Sequence, residues 1–251
     1  MNYNKNESQT ITEFFASLET NDISYVVPRG YRHLPDSVPG GDIDLIVKSN
    51  DFSECTTIAQ DFGFKRNSSV LSGLLHIGKE SVQKPRVALE HLLNPQKGAS
   101  VIRRSLFGKG AEDNTHQIRD VKATNGNIMI HLRNHVAYTS PMNGQQIRVD
   151  PAVERSLFEN RKRLNGFCVP DTPDELVHLI CRGVFDKDGD FPIYYQERCN
   201  ELVSTASDAD MERVRDLFTL VFFEANDLVM ECVLAKNFNE IRAKLRCFSD
   251  Y

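Results

Sequence analysis

Ile11, Phe14, Phe15 and Leu18 recur at the i, i+3, i+4, i+7 spacing of one helix face. They predict an amphipathic helix over residues 8–20, with Ser8 or Thr10 as its cap. The β-rich run ISYVV then predicts a strand at 23–27. A segment with three prolines and three glycines follows (28–41) and reads as a loop. It ends in DIDLIV, residues 42–47. There Ile43, Leu45 and Val47 share one face and Asp42, Asp44 and Ile46 the other, which predicts a short strand. Residues 51–62 predict a second helix, stopped by Gly63.

The middle of the chain is less regular. RVALEHLL (86–93) fits strand or helix, and 95–115 reads as a glycine-containing charged loop. Two β-like runs, 116–122 and 127–133, are joined by TNGN, a strong hairpin signal. After about residue 150 the pattern turns helical. Thr172-Pro173-Asp174-Glu175 reads as a capping box with proline in the first turn. Leu176, Leu179, Ile180 and Val184 continue that helix. Further helices are predicted at 194–204, 209–224 and 226–247. The expected fold class is α+β, with an α/β domain over 1–155 and a helical domain over 156–251.

Composition narrows the classes. Thirty basic against 35 acidic residues give a net charge of −5, which makes a long nucleic-acid partner less expected. No apolar run approaches the ~20 residues of a membrane span, and the polar N-terminus does not read as a signal peptide. Six cysteines are scattered with no CxxC pair, so they read as reduced thiols in a cytoplasmic protein.

The sharpest chemical feature is Gly30 followed by Gly41-Asp42-Ile43-Asp44. Carboxylates at i and i+2 of a strand point the same way, with Cβ atoms about 7 Å apart. Both can reach one or two divalent ions, and hard oxygen ligands select Mg²⁺ or Mn²⁺. A glycine after the preceding strand lets backbone approach a triphosphate.

Tyr25-Val26-Val27-Pro28-Arg29-Gly30-Tyr31, Leu34-Pro35 and Gly41-Asp42-Ile43-Asp44-Leu45-Ile46-Val47 resemble the nucleotidyltransferase fold, the DNA polymerase beta-like superfamily. The likeness is to small bacterial and archaeal nucleotidyltransferases. It extends weakly through residues 131–141 and 173–187. It implies a mixed sheet with flanking helices followed by an all-helical C-terminal domain. It also implies transfer of a nucleoside monophosphate from an NTP to an acceptor hydroxyl or phosphate. Asp42 and Asp44 would hold Mg²⁺ (or Mn²⁺), and Arg29, Gly30 and Tyr31 would meet the nucleotide. The superfamily usually has Ser or Gly where this chain has Tyr31.

The resemblance also implies a third acid on a neighbouring strand, and the matching position in IMIHLRN holds His131. Met129, His131 and Arg133 share one strand face, which could look toward Asp42 and Asp44. Histidine serves as a general base or as a neutral metal ligand. Otherwise His131 is a polar residue on the exposed face of a hairpin. Glu90 and then Asp120 are the other candidates for the third acid. Arg29 suits a phosphate or a neighbouring acid equally.

Weaker signals have plainer readings. Arg103, Arg104 and Lys109 read as a solvated charge run. Asp186 to Asp190 with Glu197 mimics an EF-hand acid spacing, but Phe191 replaces the needed glycine. Tyr194 and Tyr195 could stack a base, with packing as the default. His178 reads as a helix-surface or interdomain residue.

The expected function is a metal-dependent nucleotidyltransferase with a small-molecule acceptor held between the two parts. The alternative is a catalytically impaired module that keeps the fold and binds nucleotide or a protein partner, including a toxin–antitoxin type.

Overall fold

Asn4 opens the first helix. Its side chain accepts the Glu7 N–H at 3.0 Å, and the Glu7 carboxylate accepts the Asn4 N–H at 2.8 Å. This reciprocal cap starts helix α1 (Lys5–Thr20) three residues before the expected Ser8. The computed structural model describes residues 3–38, 41–66, 118–139 and 145–246. The expectations for 86–93 and for the loop 95–115 lie outside the described residues.

Among the described residues five short strands make one mixed sheet: β1 (Tyr25–Val26), β2 (Ile43–Val47), β3 (Lys65–Arg66), β4 (Asp120–Asn125) and β5 (Ile128–Arg133). Their order is β1-β2-β5-β4-β3. β2 and β5 are parallel; the other neighbours are antiparallel. The β4–β5 hairpin forms as its Asn-Gly signal predicts, with Asn125 paired to Ile128 and Gly126 at φ 59°. A left-handed turn residue matches the twist of the strands it joins.

The period-2 pattern sorts the sheet faces. Ile43, Leu45, Val47, Ile128, Ile130 and Leu132 pack with Ile11, Phe14, Phe15 and Leu18 of α1 and with residues of α2 (Phe52–Asp61). Val26 and Ile46 from the opposite face belong to a second core built mainly from later helices. The carboxylate face of the sheet is thus closed by the C-terminal part rather than open to solvent.

That part is mostly, not wholly, helical. β6 (Ala137–Thr139) pairs with β7 (Gln146–Arg148), and helix α3 (Pro151–Glu159) follows, capped by Asp150. A second hairpin, β8 (Lys162–Leu164) and β9 (Phe167–Val169), stands where helix was expected. Its two turn residues, Asn165 and Gly166, have φ of 52° and 86°. Asn-Gly between short β-prone runs specifies this turn.

Helix α4 (Thr172–Cys181) is capped by Asp171, whose side chain accepts the Asp174 N–H, so Thr172 is already helical. A π-helical turn (Arg182–Asp186) ends it. Helices α5 (Ile193–Thr205), α6 (Asp208–Phe222), α7 (Asn226–Leu234) and α8 (Ile241–Leu245) complete the described chain. The single helix expected over 226–247 is interrupted, with Lys236 at φ 60° between α7 and α8. A left-handed residue cannot continue an α-helix.

Candidate functional site

β2 and β5 lie side by side in parallel register, with Asp44 opposite His131. On neighbouring strands in register, both side chains project from the same face. The His131 Nδ1 lies 3.1 Å from Asp44 Oδ1 and 4.0 Å from Asp42 Oδ2. One donor atom from each of the three residues falls within 4.8 Å of the others. The alternating face read from IMIHLRN therefore does carry His131 to the carboxylate pair. Its bland reading, a polar residue on an exposed hairpin face, fails because His131 is buried at 3% exposure.

Asp120 enters from the other side. β4 pairs antiparallel with β5, with Asp120 opposite Arg133 and Lys122 opposite His131. Asp120 therefore reaches His131 diagonally, and its Oδ1 lies 2.5 Å from Nε2. Both ring nitrogens thus face carboxylate oxygens. A neutral imidazole has one N–H and donates to one of them only. With neither nitrogen turned to the surroundings, His131 suits holding or ligating better than acting as a free base.

Arginines close the cluster. The Arg29 Nη2 contacts Asp44 directly and lies 3.3 Å from Asp42 Oδ1. Arg182, from the π-helical turn, brings Nη1 to 3.8 Å from Asp44 and 3.6 Å from Asp186. Burial would push the Asp44 carboxyl up, but the Arg29 and Arg182 guanidiniums outweigh it, with His131 adding to them. The group is held well below the usual carboxylate range. Around His131, four carboxylates (Asp42, Asp44, Asp120, Asp186) interleave with three guanidiniums (Arg29, Arg133, Arg182).

Gly30 does what a turn glycine should. At φ 69° it leads into a 3₁₀ turn, Tyr31–His33. Tyr31 is a strut: its hydroxyl donates to Glu175 Oε2 at 2.6 Å, tying the turn to α4. Arg198 of α5 donates to the same carboxylate at 2.8 Å. Between these elements lies a cleft of about 230 Å³, lined by Arg29, Gly30, Tyr31, Tyr194, Tyr195 and Arg198 among others. Arg29 joins cleft and carboxylates. Tyr195 is buried in this wall, whereas Tyr194 remains 38% exposed.

Other sequence signals resolve differently. Glu90, Arg103, Arg104 and Lys109 lie outside the described residues. His178 is not a surface residue: it is buried, and its Nδ1 pairs with the Tyr138 hydroxyl at 2.9 Å. Burial, then the charge of Arg182, drives its pKa well below the usual histidine range, so it is neutral. In the EF-hand-like run, Asp186 pairs with Arg182 and Asp188 with Arg242. Among the described residues no metal-type cluster forms there. Cys55, Cys168, Cys181, Cys199 and Cys232 are free and buried. The part of the site that the sequence does not single out is Arg182; Asp186 stands out only within the EF-hand-like run. A charged residue inside the apolar run LVHLICRGV was the available signal.

The chain matches no protein-family model and no curated protein. Among the described residues, no helix is long and apolar enough to cross a membrane.

Proposed function

We propose that this chain is a metal-dependent nucleotidyltransferase, moving a nucleoside monophosphate from an NTP to a small-molecule acceptor. The observation that carries the reading is the convergence of Asp42, Asp44 and His131 donor atoms within 4.8 Å, beside the Gly30 turn. The donor set suits a divalent ion: two hard oxygens and an imidazole nitrogen. A bound ion would supply positive charge to a triphosphate. Asp42 and Asp44 would hold it. Arg29, now on those carboxylates, is positioned to trade them for phosphate oxygens. The cleft beside Arg29, with three tyrosines and paired Arg–Glu side chains, suits a small polar acceptor or a nucleoside.

A second reading has its own support. Arg29 and Arg182 already neutralise Asp44 without any ion. A site satisfied in this way also fits a module that binds an anionic ligand or a partner and transfers nothing. Calorimetric titration with each non-hydrolysable NTP and a divalent ion separates the two. The transferase reading expects metal-dependent NTP binding that Asp42→Asn/Asp44→Asn abolishes. Binding without any metal dependence would favour the module, and binding of no NTP would end the transferase reading.

A further inference from the structure

An ordinary oxygen-only site would take Mg²⁺, which demands near-octahedral oxygen coordination. This cluster is different. Its third donor is an imidazole, and imidazole suits later first-row ions better than it suits Mg²⁺. The orientation of the ring matters as much as its identity. Nδ1 faces Asp44 at 3.1 Å and Asp42 at 4.0 Å, while Nε2 lies 2.5 Å from Asp120 Oδ1. Arg133 Nε also approaches Nε2, at 3.4 Å, but the far closer Asp120 can hold the Nε2 proton, which leaves the Nδ1 lone pair aimed at the carboxylates. Carboxylate, imidazole and metal in series is how ligating histidines are fixed in orientation and made more basic.

A second observation points to an outside ligand. Arg29 and Arg182 are 6% and 8% exposed, and each leaves its buried Nε without a hydrogen-bond partner. Burying a donor without a partner is costly. An anion arriving with the ion would complete them.

We infer that the Asp42–Asp44–His131 site selects a first-row transition-metal ion over Mg²⁺, with Mn²⁺ as the probe nearest to Mg²⁺ in its preference for oxygen. His131 Nδ1 is the specificity-determining ligand, and Asp120 is the residue that positions it. This rests on the metal-site reading above and specifies its ion.

The test uses the full chain, freed of metal, titrated separately with MnCl₂ and MgCl₂. Mn²⁺ is also read by pulsed electron paramagnetic resonance, which detects ¹⁴N coupled to the bound ion. The expected result is tighter binding of Mn²⁺ than of Mg²⁺, with ¹⁴N coupling in the wild type. His131→Asp should keep a metal site, lose that coupling, and reduce the Mn²⁺ preference about tenfold. Asp120→Asn should weaken Mn²⁺ about 10- to 100-fold and alter the ¹⁴N coupling, with an unchanged near-ultraviolet circular dichroism spectrum. A purely structural Asp120 would leave the coupling alone. Wild-type Mn²⁺ bound without ¹⁴N coupling overturns the inference even if His131→Asp fails to fold, and leaves a carboxylate-only metal site standing. If no divalent ion binds in a manner sensitive to Asp42→Asn/Asp44→Asn, the metal-site reading itself falls, and this inference with it.

Discussion

Asp44 sits at 4% exposure with Arg29 against one side and Arg182 near the other. A buried carboxylate survives only while its counter-charges stay. Arg29→Leu strips one of them and should cost about 3–5 kcal/mol, read as a lower urea midpoint with an unchanged slope. Arg29→Leu/Asp44→Leu should cost clearly less than the sum of its two single changes, because it leaves no charge stranded. An additive double mutant would show that the two groups do not depend on each other. The pair also shows what sequence can and cannot report. Asp42 and Asp44 were legible because strand periodicity is local and puts i and i+2 on one side. His131 was legible once its strand was recognised, for the same reason. Arg182 was not, since nothing local says which strand a helix terminus 138 positions from Asp44 will meet (182 − 44).

The elements that aim these side chains rest on backbone features a single residue can spoil. The π-helical turn that presents Arg182 contains Gly183, and a Cβ there would fall inside the Phe191 ring. Gly183→Ala should therefore cost about 1–3 kcal/mol through overpacking. On the proposed function, metal and NTP affinity should fall with it, since the buried Phe191 packs against the turn that presents Arg182. Gly166→Ala is a milder case. No atom lies within 4 Å of its Cβ position, so only the φ of +86° opposes the substitution. A loss of about 1 kcal/mol in thermal unfolding is expected, with ligand binding intact. The β8–β9 hairpin departs from the all-helical domain expected over 156–251. Asn165–Gly166 carries the same turn signal as Asn125–Gly126, but it sits between strands of three residues, too short to show an alternation. The longer helices α1, α5 and α6 were legible because their apolar stripes span several turns.

At the scale of the whole molecule, acidity should act through Asp174. Buried at the start of α4, its carboxyl is pushed up to about 7, first by burial and then by the neighbouring Asp171, against the opposing charge of Arg213 at 2.7 Å. A carboxyl whose pKa is raised on folding stabilises the fold when protonated, and that contribution fades as pH rises through about 7. Between pH 8 and 6 the wild type should gain thermal stability relative to Asp174→Asn, which has no proton to take up. Parallel melting curves for the two proteins across that range would count against this assignment.

Among the described residues the mixed sheet has two outer strands, and the chain treats them differently. The described residues of β3 are two exposed cations, Lys65 and Arg66, of the kind that discourages another strand from joining. β1 is apolar and buried, and the hairpin beside it supplies the cover: the Val27 N–H donates to the Cys168 carbonyl at 2.8 Å. The hairpin therefore guards solubility as well as packing. A chain whose β8–β9 segment came loose would offer a bare, greasy strand to its neighbours, and the first symptom would be clumping rather than lost chemistry.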